Sequence, residues 1–320
     1  MNKKQLIEAY YKMLRIRMVE ERLVREYLEN NIRSFVHFYI GEEATAVGVC
    51  MNLTNQDYAF GTHRCHGHYL AKGGDLKRMI AELYGKSSGC CRGKGGSMHL
   101  VDKGVGYMGS ISILASVAPI AVGAAFAQKY RGEDNITVVF VGDGAADEGG
   151  FYESVNLAAL MKAPIVFVVE NNLYAGMTPA EDRHPKEYNL KKIAEGLGVS
   201  YIKVDGNDLA EVYHAAAWAR NNIDIRPCIL ECIAYRHMAH SAPVMDDKLG
   251  YRKLDPYETR VEACPIKNLK EELQEKEILT NDIVNGFHYK IEREINEAIR
   301  YAGESLYPKP GELTKGVYYE

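Results

Sequence analysis

The chain has 320 residues, with 39 Lys and Arg against 43 Asp and Glu and a formal net charge of −4. That mild acidity argues against a nucleic-acid footprint, and no run is apolar for long enough to span a bilayer. The length suits one large α/β domain or two modest ones, and the composition is that of an ordinary globular protein.

Residues 1–24 lack the apolar core of a signal peptide and read as an amphipathic helix ending near Asn30 and Asn31. A second helix is predicted over 41–53, with small residues that suit close packing, including against another subunit. Residues 57–60 form a short strand leading into the loop THRCHGHYL, and 75–84 form a helix. From 85 to 106 the chain is rich in Gly, Ser and basic residues without hydrophobic period, the mark of a long loop that is functional or disordered. A helix over 112–130 is too rich in Ala and Gly to lie on a surface. Then come strand 136–141, helix 147–162, strand 164–170, helix 189–197, a strand near 201–204, helix 208–222 and strand 228–234. This alternation predicts an α/β fold, a doubly wound parallel sheet with helices on both faces. An irregular stretch runs on to about Pro256. The C-terminal third is helical, most clearly over 281–301, and the tail SLYPKPGELTKGVYYE is extended. The expected division is an α/β domain over 1–265 and a helical extension with its tail over 266–320. Seven cysteines are scattered without a CxxC, which fits reduced thiols in a cytoplasmic protein.

The densest chemistry follows two apolar runs. ITVVFV precedes Gly142-Asp143-Gly144, and PIVFVV precedes Asn171-Asn172. Short, unbroken, β-branched runs are the pattern of strands buried on both faces of a parallel sheet. Asp143 and Asn172 then lie at C-terminal strand ends, where open α/β sheets bind ligands. A carboxylate and an amide oxygen suit a hard divalent cation such as Mg²⁺, and the glycines allow close backbone approach to a diphosphate. No GxGxxG follows a strand, which sets aside a nicotinamide-binding reading.

This arrangement resembles the Mg²⁺–diphosphate motif of thiamine diphosphate enzymes, which begins GDG and ends NN. The resemblance implies that the carbonyl of Tyr174 is a third metal ligand beside Asp143 and Asn172. Nearly the whole chain resembles the α subunit of thiamine-diphosphate-dependent 2-oxo-acid dehydrogenases and of acetoin dehydrogenase. The matching stretches are FVHFYIGEEATAVGV (35–49), GTHRCHG (61–67), RGKGGSMHL (92–100), GDGAADEGGFYESVNLAAL (142–160), ENNLYAGMT (170–178) and AYRHMAHS (234–241). The implied fold is the diphosphate-binding type of the thiamine diphosphate-binding fold.

The resemblance implies roles position by position. Arg64 holds the diphosphate, as a bidentate fork suits phosphate oxygens. Gly144 and Ala145 present backbone amides to it at the N-terminus of helix 147–162, with Asp147 and Glu148 in that first turn. His240 contacts the diphosphate near the substrate, and Arg236 precedes it in the same loop. His37 lines the approach to the thiazolium ring, His66 belongs to the loop of Arg64, and His99 to the GGSMH loop. These make His240, His66 and His37 the catalytic candidates. His63 stands where the family commonly has tyrosine. Ser112 would lie near the aminopyrimidine and Leu114 would support the bent cofactor. Ser112, Leu114 and HSAPVMDD lean toward branched-chain enzymes, whereas GDGAADEG and ENNLYAG lean toward pyruvate and acetoin enzymes. Ser241 matches a phosphorylation position of some relatives and reads here as an ordinary loop serine. The loop 236–247 is expected to be mobile without cofactor and ordered with it. Nothing in the chain matches a pyrimidine-binding half. A β subunit is therefore implied to supply the pyrimidine-side glutamate in an α₂β₂ heterotetramer, with a lipoyl acyltransferase as a further partner. The implied function is C–C cleavage of a 2-oxo acid or acetoin with transfer to a lipoyl acceptor. The alternative is a two-chain thiamine enzyme transferring an acyl or ketol unit to a sugar or other acceptor without a lipoyl partner.

Overall fold

A computed structural model describes residues 1–252 and 263–316. The predicted end of the irregular stretch at Pro256 and the last four residues of the tail lie outside the described residues. The strands of the main sheet are β1 (Tyr58–Gly61), β2 (Tyr107–Ser110), β3 (Thr137–Gly142), β4 (Ile165–Asn171), β7 (Ser200–Asp205) and β8 (Cys228–Ile233). They form a six-stranded sheet in the order β2-β1-β3-β4-β8-β7, every pair parallel. Between β4 and β7, β5 (Tyr174–Ala175) and β6 (Thr178–Pro179) make a small antiparallel hairpin.

The apolar runs behave as doubly buried strands. Val138, Phe140, Val166, Val168 and Leu230 enter one core, while Val139, Val141, Phe167, Val169 and Ile229 enter the other. Successive side chains of a strand point to opposite faces, so an unbroken apolar run is needed to feed both cores. The first core is covered by α1 (Lys3–Leu28), α2 (Glu43–Cys50), α3 (His66–Ala71), α4 (Leu76–Leu83) and α10 (Leu209–Asn221). The second is covered by α5 (Val117–Tyr130), α7 (Gly149–Met161) and α9 (Leu190–Gly196). The C-terminal helices α11 (Pro265–Glu275) and α12 (Asn281–Glu304) bury Leu273, Ile291 and Ile295 in the first core. A capping box opens α1, where the Asn2 side chain accepts from Gln5 N–H at 3.0 Å and the Gln5 side chain accepts from Asn2 N–H at 2.8 Å.

Several elements differ from their predicted form. The helix expected over 41–53 is confined to α2, and its small residues pack inside the chain. A Cβ on Gly48 would stand 2.7 Å from Val212 of α10. Half of the loop THRCHGHYL is α3. Strand β2 lies just beyond the glycine-rich loop, where Tyr-Met-Gly-Ser carries no β-branched signal. The helix expected from Ser112 begins at Val117, and it is a surface helix on one side, with Ile120, Phe126 and Tyr130 exposed. The helix expected from Asp147 begins at Gly149, preceded by the separate turn α6 (Asp143–Ala146).

The loop over 85–106 is organised by one buried carboxylate. Glu82 Oε2 accepts from the amides of Cys91 and Gly93, both at 2.8 Å, and Oε1 from those of Gly95 at 2.7 Å and Gly96 at 3.2 Å. Beneath the C-terminal edge of the sheet a second buried carboxylate, Glu170, accepts from the Tyr39 hydroxyl and from His68 Nε2 at 2.9 Å.

Gly67 of α3 lies flat against the Tyr39 ring, and an added Cβ would fall 2.0 Å from it. Alanine favours helix by about 1 kcal/mol over glycine, but an overpacked core loses about 1–3 kcal/mol. Gly67→Ala is therefore expected to lower the denaturant midpoint, and an unchanged or raised midpoint would show that Tyr39 is loosely held.

Candidate active site

The C-terminal ends of four strands converge on one cavity of about 240 Å³. Thr62, His63 and Arg64 follow β1; Asp143, Gly144 and Ala145 follow β3; Asn172 and Tyr174 follow β4; Arg236 and His240 follow β8. The chain leaves β1 for β2 on one side and returns as β3 on the other side of β1. Such a switch in winding opens a crevice above the sheet. Leu114, Glu42 and Glu170 complete the wall.

Asp143 is 6% exposed, and burial raises its pKa against the opposing pull of Arg183. The Arg183 fork donates to Asp143 and to Asp147 at once, and His184 Nε2 lies 2.6 Å from Asp147 Oδ1. Asn172 Nδ2 donates to Glu42 Oε1 at 3.0 Å, while its Oδ1 accepts from Tyr174 N–H at 3.3 Å. Burial, then the neighbouring Glu170, raises the pKa of Glu42. Arg64 is buried, donating to Phe38 O at 2.7 Å and His240 O at 3.3 Å, with Nε 3.7 Å from Glu42. Arg236 is buried too, donating to Gly176 O and Asp246 Oδ2, each at 3.1 Å. Gly144 has no room for a side chain, since a Cβ would meet Ala175 at 2.5 Å.

A family model described as dehydrogenase E1 component matches residues 11–311. The chain belongs to the dehydrogenase E1 component family. This E1 chain is similar to the α subunit of acetoin:2,6-dichlorophenolindophenol oxidoreductase of Bacillus subtilis, 38% identical over 312 residues, 97% of this chain and 92% of that one. The corresponding subunit of Cupriavidus necator is 36% identical over 320 residues, 99% of this chain and 95% of that one. The pyruvate dehydrogenase E1 component subunit alpha of Porphyra purpurea is 35% identical over 328 residues, 99% of this chain and 94% of that one.

The E1 chain brings most of its sequence-selected residues together, but not all. His63, Arg64, Leu114, Asp143, Gly144, Ala145, Asn172, Tyr174, Arg236 and His240 line the cavity. His37 stands against it, its ring 4.4 Å from that of His63 and 5.0 Å from that of His240. His66 does not join them. It is fully buried in α3, with Nδ1 2.8 Å from Glu20 Oε1 and Nε2 2.9 Å from Ser97 Oγ, so it braces α3 against α1 rather than facing the cavity. Ser112 is exposed and outside the cavity lining. Gly144 and Ala145 belong to the turn α6, not to the start of α7, and Asp147 serves Arg183 and His184 instead of the α7 dipole. His99 Nδ1 lies 3.2 Å from Ser110 O, away from the cavity lining. The loop after β8 is a compact turn. His237 N–H donates to Ile40 O at 3.0 Å, Ala239 N–H to Val244 O at 2.9 Å and Asp246 N–H to His237 O at 2.9 Å.

Glu42, Glu170 and Arg183 were not singled out from the sequence. The first two sit inside the matched stretches GEEATAVGV and ENNLYAGMT, so their signal was present. Arg183 lies in a polar turn with no pattern of its own.

The imidazoles of His37, His63 and His240 each offer a ring nitrogen within 4.8 Å of the others. Buried nitrogens of all three have no hydrogen-bond partner among the described residues. Burial first, then the Arg64 charge, pushes His37 down to about 3 and His240 down to about 4, and lowers His63 further still. The three rings are neutral at pH 7. Burial first and the Arg64 charge second disfavour positive charge here, so the cluster suits hydrogen bonding by neutral rings rather than proton uptake or metal ligation.

This has a consequence for stability. Above the ordinary histidine value of 6.5 both folded and unfolded chains carry these rings neutral. As pH falls from there toward about 4 for His240 and about 3 for His37, the unfolded chain binds more protons and stability is lost. Denaturant midpoints measured across that window should fall with pH, and less steeply in the His37→Asn/His240→Asn variant. Equal slopes would contradict the neutral assignment.

Proposed function

We propose that the chain is the thiamine-diphosphate-dependent α subunit of a two-chain dehydrogenase that cleaves a C–C bond of acetoin or a 2-oxo acid and passes the fragment to a lipoyl acceptor. The observation that carries this reading is the convergence of Asp143, Asn172 and Arg64 from three strand ends on one cavity, in a chain matched over 11–311 to the E1 component. The donor set fits the implied group. A carboxylate and an amide oxygen suit Mg²⁺. Asn172 commits its nitrogen to Glu42, and its carbonyl oxygen retains a lone pair beyond the Tyr174 N–H. Arg64 offers guanidinium hydrogen bonds to a diphosphate. Asp143, Asn172 and the Tyr174 carbonyl would hold the metal; Arg64, His240 and the backbone at Gly144 and Ala145 would hold the diphosphate.

When bound, thiamine diphosphate supplies the carbanion and the electron sink for C–C cleavage. The chain's own residues would anchor the cofactor's charge, with Leu114 and the neutral imidazoles of His63 and His240 lining the same cavity. Cleavage of a hydroxyketone requires a proton to leave its hydroxyl as the bond breaks, whereas decarboxylation releases CO₂ and needs no such base. Burial and the Arg64 charge disfavour protonation of His63 and His240, so their part in that step would be to hydrogen-bond as neutral rings.

A β subunit completing the site is part of the same reading. The relatives are themselves named as α subunits, and of the neighbouring helices α5 exposes Ile120, Phe126 and Tyr130 and α7 exposes Leu157 and Leu160. Exposed apolar area of that kind marks a protein interface. A cytoplasmic location, read from the scattered unpaired cysteines, belongs to the same proposal.

The purified chain alone is expected to show no turnover of acetoin or pyruvate, and to gain it with a β subunit, Mg²⁺ and thiamine diphosphate. Asp143→Ala should abolish calorimetric cofactor binding in that complex with little change in fold. Turnover by the chain alone, or unchanged affinity in the variant, would sink the reading. Separately, Ile120→Asp/Leu160→Asp should prevent co-purification with the β subunit while leaving the circular dichroism spectrum intact, and a normal complex from this variant would place the interface elsewhere.

A further inference from the structure

Asp143 is the residue shared by two cavities, the one described above and a wider groove of about 700 Å³ beyond it. The partner of Asp143 is Arg183, the last residue of the turn α8 (Ala180–Arg183). Arg183 Nη2 donates to Asp143 Oδ2, and its Nη1 donates to Asp147 Oδ2. Among the described residues no other side chain hydrogen-bonds the Asp143 carboxylate, so Oδ1 has no side-chain partner. Arg183 is itself held. Asp147 carries His184 on its other oxygen at 2.6 Å. The His184 ring stacks on Tyr188 at 3.7 Å with planes 10° apart. The Tyr188 hydroxyl reaches that of Tyr152, on α7, at 3.4 Å. This is a strut running from the back of α7 through two ion pairs to one oxygen of one carboxylate. Arg183 and Asp143 side chains are 13% and 7% exposed, so solvent does little to loosen it.

A carboxylate that ligates a metal binds well when the oxygen turned away from the ion is fixed by a partner. A planar guanidinium is suited to that task because its donors are rigidly spaced. We propose that Arg183 positions the metal-binding carboxylate. By pinning Oδ2 of Asp143 it presents Oδ1 to Mg²⁺, and Asp147 with His184 keeps the guanidinium in register. This rests on the reading of Asp143 as a metal ligand given above. Arg183 acts through Asp143, so it is a positioning residue rather than a catalytic one.

The test is calorimetric titration of thiamine diphosphate into the two-chain complex at stepped Mg²⁺ concentrations, for the wild type and for Asp143→Ala, Arg183→Gln, Arg183→Lys and Asp147→Asn. Loss of such a supporting partner typically weakens metal affinity about 10–100-fold. Arg183→Gln is expected to fall in that range, Arg183→Lys to fall less, and Asp147→Asn, which leaves the guanidinium but frees it, to weaken binding as well. Excess Mg²⁺ should restore cofactor retention in all but Asp143→Ala. Affinity unchanged in Arg183→Gln would overturn the proposal, and tighter binding would show Arg183 to be a competitor of the metal. Weakening that excess Mg²⁺ does not relieve would make it a direct phosphate partner, which overturns the proposal equally. If Arg183→Gln does not fold, Asp147→Asn decides, with unchanged affinity as the overturning result. Unchanged affinity in Asp143→Ala would instead remove the metal-ligand reading on which the inference stands.

Discussion

Burial of β3 and β4 on both faces is the constraint from which the rest follows. Each residue of Val138 to Val141 and of Val166 to Val169 is 3% exposed or less. A charged group has no place along such a strand, because an unpaired buried charge costs several kcal/mol. Polar chemistry is displaced to the strand ends, and there it crowds: Asp143, Glu170 and Asn172 lie within the first residues after, or the last residues of, these two strands. Crowded acids need partners. Arg183 answers Asp143, Asn172 and Arg64 answer Glu42, and Tyr39 with His68 answers Glu170. The cavity is what remains between these paired groups.

The parts of this arrangement that were legible in the sequence are those with a strong local signal. ITVVFV and PIVFVV pointed to doubly buried strands, and Asp143 and Asn172 do lie at their C-terminal ends. The predicted strands 57–60 and 228–234 put Arg64, Arg236 and His240 just beyond other strand ends, and the resemblance singled those residues out there. Failures have physical causes of equal clarity. Strand β2 takes its conformation from the edge of β1, not from its own Tyr-Met-Gly-Ser. His66 shares a six-residue stretch with Arg64 and His63, but α3 begins at that residue and turns its ring inward to Glu20. Helix α5 was judged by its small residues, which face the sheet, and its Ile120 and Tyr130 were overlooked on the outer side. Arg183 was invisible because its partner is forty positions away and its own turn has no period.

The two walls of the cavity work on different electrostatic principles. On one, Asp143 and Asn172 keep oxygen atoms available in a region of paired charge. On the other, burial first and the charge of Arg64 second keep three imidazoles neutral. The same arginine therefore serves both halves, as a partner of Glu42 and as the largest charge contribution, after burial, to the lowered pKa values of His37, His63 and His240.

The Glu82 carboxylate has an implication for how this chain can vary. Because four backbone amides of the glycine-rich loop converge on it, the path of that loop is encoded at a distance, in α4. Within the loop itself the fixed requirements are the glycines, since Gly93 and Gly96 sit at φ +76° and +61° and a Cβ on Gly95 would strike His99 O at 2.3 Å. Arg92 shares that requirement, at φ +60°, whereas Lys94, exposed between Gly93 and Gly95, has no such backbone constraint. A path fixed from a distance leaves the outward side chains of the loop to set what it meets.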